Sequence, residues 1–183
     1  KMKKQYSTIE DLINHRLSTE EYTKTKERIK ELEPVLVRGF FTKDEFMKMA
    51  LWKSHRPMPH YLKNSDETII QVSKEVLSTN SEKLRIELLT TRLSGVRIPV
   101  ASAILTLIDP QNYGVIDTRV WQLLYLYGCV QNNPKGRNFK IEDWLRYLDL
   151  IRHYANKFKV RARDIERTLF KYQKEIQNGN LYS

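Results

Sequence analysis

Leu93-Ser94-Gly95-Val96-Arg97-Ile98-Pro99-Val100-Ala101, followed by Val115-Ile116-Asp117-Thr118-Arg119-Val120, are the two stretches that decide the fold. The first reads as a tight turn between two helices. Leu93 and Val96 are apolar residues flanking Gly95, and the following helix begins with small residues, Ala101 and Ala103, that permit close packing. Gly95 suits a turn whose backbone excludes a Cβ. The second stretch places an acid, Asp117, at the start of the next helix, where a carboxylate accepts from the free N–H groups of the first turn. A helix–hairpin–helix presents backbone N–H groups to a phosphate without reading any base. The motif spans about residues 84–107.

Outward from this centre the chain reads as all-α. Ser7 with Glu10, Ser18 with Glu21 and Thr42 with Glu45 fit the capping box that opens a helix. The second of these helices is expected to stop before Pro34. The octet Lys53-Ser54-His55-Arg56-Pro57-Met58-Pro59-His60 reads as a loop. Asn64 or Ser65 opens a helix to about residue 77, and Ser81 one to about residue 92. Pro99 suits a first helical turn, and Asp109-Pro110 closes that helix. Asp117 or Thr118 caps a helix through about residue 127, and Asn132-Asn133-Pro134-Lys135-Gly136 is a loop. Apolar residues at 141, 144, 145, 148, 151, 155 and 158 make a core stripe at helical period. A last helix from Arg163 carries Ile165, Leu169, Tyr172 and Ile176 on one face, and Arg163, Arg167, Lys171 and Lys174 on another. The expectation is about nine helices in one domain over residues 1–183, with no internal repeat and no strand.

The 183 residues carry 32 Lys and Arg against 22 Asp and Glu, a net charge of +10, which favours polyanionic partners. Half of that excess falls in residues 151–183, with eight cations and three acids. A solvated helix face is the better local explanation of such a stripe, whose weight lies in agreeing with the hairpin. No apolar run reaches the roughly 20 residues a membrane helix needs, and no signal-peptide core opens the chain. A single cysteine, Cys129, excludes an internal disulfide framework and an all-cysteine metal cluster. The four histidines lack the spacing of a zinc-binding helix, so no metal or cofactor is expected. A reducing, cytoplasmic setting follows from the cysteine usage, at the nucleoid or nucleus if the protein is DNA-bound. A monomer is the default.

Asp117 lies 22 positions after Gly95, across one helix and one loop. In this layout the chain resembles the helix–hairpin–helix base-excision DNA glycosylase superfamily, the group that includes endonuclease III. The family's Leu-Pro-Gly-Val-Gly-x-x-x-Ala is similar to residues 93–101, and its Val-Asp-Thr-His-Val to residues 116–120. The likeness covers about residues 84–128, a quarter of the chain. It implies an all-α fold of two closely packed lobes around a cleft, with sequence-independent contacts to double-stranded DNA. Gly95, Val96 and Arg97 would hold the backbone, aided by Arg163, Arg167 and Lys171 of the basic stripe. Arg97 replaces the hairpin's second glycine. Pro99 stands where bifunctional members carry a lysine nucleophile, so the resemblance implies hydrolysis by water and no hairpin-lysine lyase step.

Asp117 is the expected catalytic residue. Breaking an N-glycosidic bond builds oxocarbenium-like charge on the sugar, which an ionised carboxylate stabilises while it orients or deprotonates water. The helix N-terminus favours that anion. A cap-only aspartate is the alternative. A duplex base must also be turned outward and its gap filled; Trp52, His55, Arg56, Tyr61 and Tyr113 are the pocket or wedge candidates. Trp121 and Tyr125, four apart on one helix, suit core packing better. Two other functions fit the same residues: a non-catalytic DNA-binding protein on this scaffold, and a helical module with an acidic protein partner.

Overall fold

The computed structural model describes residues 2–177. They form ten helices and, among the described residues, no strand: α1 (Ile9–Arg16), α2 (Thr23–Arg38), α3 (Lys43–Lys53), α4 (Met58–Tyr61), α5 (Asp66–Ser78), α6 (Glu82–Arg92), α7 (Ile98–Ile108), α8 (Thr118–Leu126), α9 (Ile141–Phe158) and α10 (Ala162–Ile176). The helix beyond the expected nine is α4, a single turn within the proline octet. Its neighbours bond it internally: Met58 N–H donates to His55 O at 3.1 Å and His60 N–H to Pro57 O at 2.8 Å.

Packing sorts the helices into two sets. Helices α2, α3 and α6 pack against α7, and α5 lies on α6 and α3; α1, α8 and α9 pack against α10, and α6 meets α9 between the sets. One contiguous apolar cluster runs through both. Helix α7 is its axis. In Ile-Pro-Val-Ala-Ser-Ala-Ile-Leu-Thr-Leu-Ile every residue but Pro99 is buried, as a helix apolar on all sides requires. The hydroxyls inside it are satisfied locally: Ser102 Oγ donates to Pro99 O at 2.7 Å and Thr106 Oγ1 to Ser102 O at 2.7 Å.

Capping chemistry sets most boundaries. Thr42 and Glu45 form the expected capping box, and Ser65 and Ser81 cap α5 and α6 through Thr68 N–H and Leu84 N–H. The first helix opens one residue later than Ser7 predicts, because Thr8 accepts from Asp11 N–H at 3.1 Å.

Three local expectations are corrected. Ser18 and Glu21 open no helix; α2 begins at Thr23, and Glu21 is drawn off to Arg163 Nε at 2.9 Å. Helix α2 also continues through Pro34 to Arg38. The missing N–H of residue 34 leaves the carbonyl of Lys30 without its helical partner, but residues 30 and 34 both lie on the exposed side. The gap in the hydrogen-bond ladder falls on the exposed side, while buried Leu32 and Val35 hold the helix down. Finally, α10 has no solvated basic face along its first half, where Ala162 to Leu169 are all buried.

Candidate functional site

The hairpin closes as the sequence predicts. Gly95 sits at φ +83°, and a Cβ there would lie 2.9 Å from both His60 Cβ and Tyr61 Cδ1. Val96 N–H donates to Leu93 O across the turn at 3.4 Å, and Leu93 and Val96 insert their side chains into the core. Arg97 is exposed at the N-cap of α7. Among the described residues the N–H groups of Gly95 and Arg97 donate to no protein acceptor.

Asn64 is the clamp that sequence reasoning missed. It is buried, its Oδ1 accepts from Ser94 N–H at 2.8 Å, and its Nδ2 donates to Ser94 O at 3.1 Å and Tyr61 O at 3.0 Å. One amide thus holds both sides of the turn. Asn64→Ala leaves those buried groups unpaired, at a cost of about 1–3 kcal/mol. A urea unfolding midpoint lowered to match is the expected outcome.

Asp117 is the N-cap of α8. Its Oδ1 accepts from Val120 N–H at 3.0 Å. Its Oδ2 accepts no hydrogen bond among the described residues, and the nearest cation is Lys53 Nζ at 3.9 Å. The two side chains are 14% and 22% exposed, so both are partly accessible to solvent. Lys53 ends α3, and α4 follows at once, with Tyr61 Oη donating to Ser54 O at 3.2 Å. One short segment, residues 53–61, therefore touches Asp117 at its start and Gly95 at its end.

The extended segment before Asp117 is fixed on all sides. Val115 N–H donates to Glu166 Oε1 at 2.8 Å, Val115 O accepts from Tyr147 Oη at 2.8 Å, and Ile116 N–H donates to Ser102 Oγ at 3.0 Å. On the far side Thr118 Oγ1 donates to Gly136 O at 2.8 Å. Gly114 is required by closeness: a Cβ would come within 2.8 Å of Glu166 Cβ and 2.9 Å of Ile151 Cδ1. Four side chains, from α7, α9, α10 and α8 itself, thus set where Asp117 begins α8.

Behind this segment lies a buried ionic layer. Arg163 bonds Glu21 Oε1 at 2.9 Å and Glu166 Oε1 at 2.6 Å, and its guanidinium stands 5.5 Å from the Trp52 ring. Arg167 bonds Asp164 Oδ1 at 3.1 Å and Ser18 O at 2.8 Å. Burial pushes the Glu166 carboxyl up, against the pull of Arg163 and the Val115 amide, and the nearby Asp117 charge adds to the rise. Burial opposes the charge on Glu21 too, but the hydrogen bonds and charge of Arg163 overcome it and its pKa falls. Tyr147, wholly buried, is held well above the ordinary phenol range by burial first and by Glu166 and Asp117 after it.

The expected DNA contacts divide accordingly. Gly95 and Arg97 present free amides, and Lys171 is exposed on α10. Arg163 and Arg167 are corrected: both are buried, and their charge is spent on Glu21, Asp164 and Glu166. Spacing showed one face of a helix but not the acids that cover it.

The pocket candidates divide as well. His55 and Arg56 are exposed at the turn between α3 and α4. Trp52 is half-buried, with Nε1 donating to Thr25 Oγ1 at 3.1 Å. Tyr61 is buried under the hairpin, and burial raises its phenol to about 12. Tyr113 is buried away from Asp117, stacked on Trp144 at 6.3 Å and donating to Glu82 at 2.7 Å; burial first, then Glu82, raises its phenol to about 12. Tyr61 and Tyr113 are thus corrected from pocket walls to core. Trp121 is core, and Tyr125 is exposed.

Comparison with protein-family models, with curated proteins and with solved structures found no match.

Two clefts lie elsewhere. One of about 830 Å³ is lined by Gln111, Arg152, Lys159 and Arg161 among others, and one of about 360 Å³ by Glu31, Arg38 and Lys48 among others. Neither includes Asp117. No helix among the described residues is long and apolar enough to cross a membrane.

Proposed function

We propose that the protein is a DNA glycosylase of the helix–hairpin–helix type, with its two helix sets forming the lobes and the duplex lying across the hairpin and Asp117. The observation that carries this reading is the shared segment 53–61, which borders both Gly95 and Asp117. A strand held by the free amides at Gly95 and Arg97 then passes the carboxylate. Phosphate binding by backbone N–H groups is independent of sequence, as a search for altered bases requires.

The half-occupied carboxylate supports hydrolysis. Oδ1 is held by the helix and Oδ2 has no donor, so Oδ2 is available to water or to the sugar's developing charge. Asp117 then acts as base and electrostatic stabiliser. His55 and Arg56, exposed beside Lys53, are the residues placed to enter the gap left by an everted base.

The test is release of a free base from duplexes carrying single deaminated, oxidised or alkylated bases. An abasic product on at least one of them is expected, and binding without release on all of them overturns the enzymatic reading in favour of a DNA-binding protein. A separate measurement checks the hairpin. Arg97→Ala should lower duplex affinity uniformly and reduce the log–log salt slope by about 0.9, the value for one phosphate contact. An unchanged slope removes Arg97 from the interface.

A further inference from the structure

The cleft of about 830 Å³ takes no part in the reading above. Four segments wall it: the α1–α2 loop at Thr19, the α7–α8 loop at Gln111, the second half of α9, and the turn between α9 and α10. Backbone groups tie these walls together. Ala162 N–H donates to Gln111 O at 3.0 Å and Arg163 N–H to Pro110 O at 3.1 Å, fixing the start of α10 to the α7–α8 loop. Arg167 Nη2 donates to Ser18 O at 2.8 Å, which anchors the segment carrying Thr19. Val160 N–H donates to Ala155 O at 3.0 Å and closes the turn after α9. The cleft is therefore formed in advance of any ligand, as small-molecule sites usually are.

Its charge is one-sided. Arg152, Lys159 and Arg161 face a single acid, Asp164, and that acid is already engaged by Arg161 and Arg167. Arg152 is held in place by groups that leave its tip unused. Its Nε donates to Asn112 O at 2.8 Å, and its guanidinium lies 4.9 Å from the centroid of the Tyr113 ring. Nη2 stands 3.6 Å from Glu82 Oε2, and among the described residues neither terminal nitrogen donates a hydrogen bond. A guanidinium fixed in this way matches two oxygens of one phosphate. Lys159 brings a second cation. It is exposed, without an acidic partner among the described residues, and it sits at φ +57° after α9, where glycine is the ordinary occupant. Beyond the cations, the side chains of Gln111, Asn156 and Thr19 make no hydrogen bond among the described residues. A lone phosphate would meet the cations and leave these three groups unused.

We propose that this cleft binds a sugar phosphate, free or as part of a nucleotide, with Arg152 and Lys159 on the phosphate and Gln111, Asn156 and Thr19 on the sugar hydroxyls. Asp117 does not line the cleft, so the site stands or falls independently of base excision.

Calorimetric titration of the full chain with ribose 5-phosphate, AMP, ribose and inorganic phosphate tests the assignment. At least one of the two esters should bind, ribose should not, and inorganic phosphate should bind about tenfold more weakly than the better ester, the loss of one or two good hydrogen bonds. Lys159→Gly removes the amine and relieves the left-handed residue. It should unfold in urea no earlier than the wild type, yet bind the ester about tenfold or more weakly, the size of one charge-assisted hydrogen bond. Arg152→Lys keeps the charge but loses the paired donors, and should weaken the ester by a similar factor. Failure of both esters to bind at millimolar concentration overturns the proposal. Equal affinity for inorganic phosphate does so too, since the cleft would then recognise the anion alone. An affinity unchanged in both variants places the ester elsewhere and is equally fatal. Finally, if duplex DNA displaces the ester and Lys159→Gly weakens the duplex as much, the cleft belongs to the DNA backbone and the assignment to a small molecule fails.

Discussion

Replacing Asp117 by Asn should lower single-turnover base release by roughly 10²–10⁴-fold, the contribution of a positioned base, while leaving the fold and duplex binding in place. The substitution separates the helix cap that the residue forms from the catalytic role proposed for it. Asn caps a helix about as well as Asp, so the acceptor at Val120 N–H is kept. Unfolding midpoints should then shift little. Asp117→Ala adds the loss of the cap, about 1 kcal/mol, without further loss of rate. Base release undiminished in Asp117→Asn would make the residue a cap alone.

Arg163→Met should be the most damaging change to stability. It leaves Glu21 and Glu166 facing each other in the interior without the cation between them. Removing one partner of a buried pair typically costs 3–5 kcal/mol, a large share of the roughly 5–15 kcal/mol that holds a domain together. The sign of the pH dependence follows. In the wild type Glu21 has a lowered pKa, so its contribution is full above the ordinary carboxyl range and is lost as pH falls through the lowered value. Without Arg163 the burial that raises the Glu166 carboxyl loses its main opposing charge and Glu21 loses its main stabilising partner, so the folded variant binds more protons than the wild type as pH falls. The deficit relative to wild type, measured by urea unfolding, should therefore shrink from pH 7 to pH 5. A deficit below about 1 kcal/mol at pH 7, or one that grows on acidification, contradicts the ionic layer.

Much of this architecture was legible in residue order. Helix starts marked by Ser65, Ser81 and Thr42 appear where side-chain oxygens meet N–H groups three residues on, a relation contained within four residues. The turn at Gly95 was equally local. What escaped was non-local. Pro34 lies inside α2 because the gap it leaves in the hydrogen-bond ladder falls on the exposed side, and Arg163 is buried because Glu21, far away in the chain, folds back onto it. A basic stripe at helical spacing reads the same whether water or acids cover it.

The site shows the same division. Gly95, Arg97 and Asp117 could be named from spacing, since each belongs to a local motif. Lys53, Asn64, Ser102, Tyr147 and Glu166 could not, because each acts on a partner from another element: Lys53 on Asp117, Asn64 on Ser94, and the other three on residues 115 and 116. Some of them carry a local signal, a polar residue set in an otherwise apolar helical face. Tyr147 and Glu166 fit it, but that signal names no partner.

The relation between carboxylate and sugar can be measured without knowing which base is removed. A duplex containing a pyrrolidine in place of one deoxyribose carries a cation near the position of C1′, whereas tetrahydrofuran has the same shape without the charge. If Asp117 is there to stabilise an oxocarbenium ion, the wild-type protein should bind the pyrrolidine duplex roughly 10²-fold or more tightly than its neutral counterpart, as for transition-state mimics in general, and Asp117→Asn should erase most of that preference. Equal affinity of the wild-type protein for the two duplexes would contradict it.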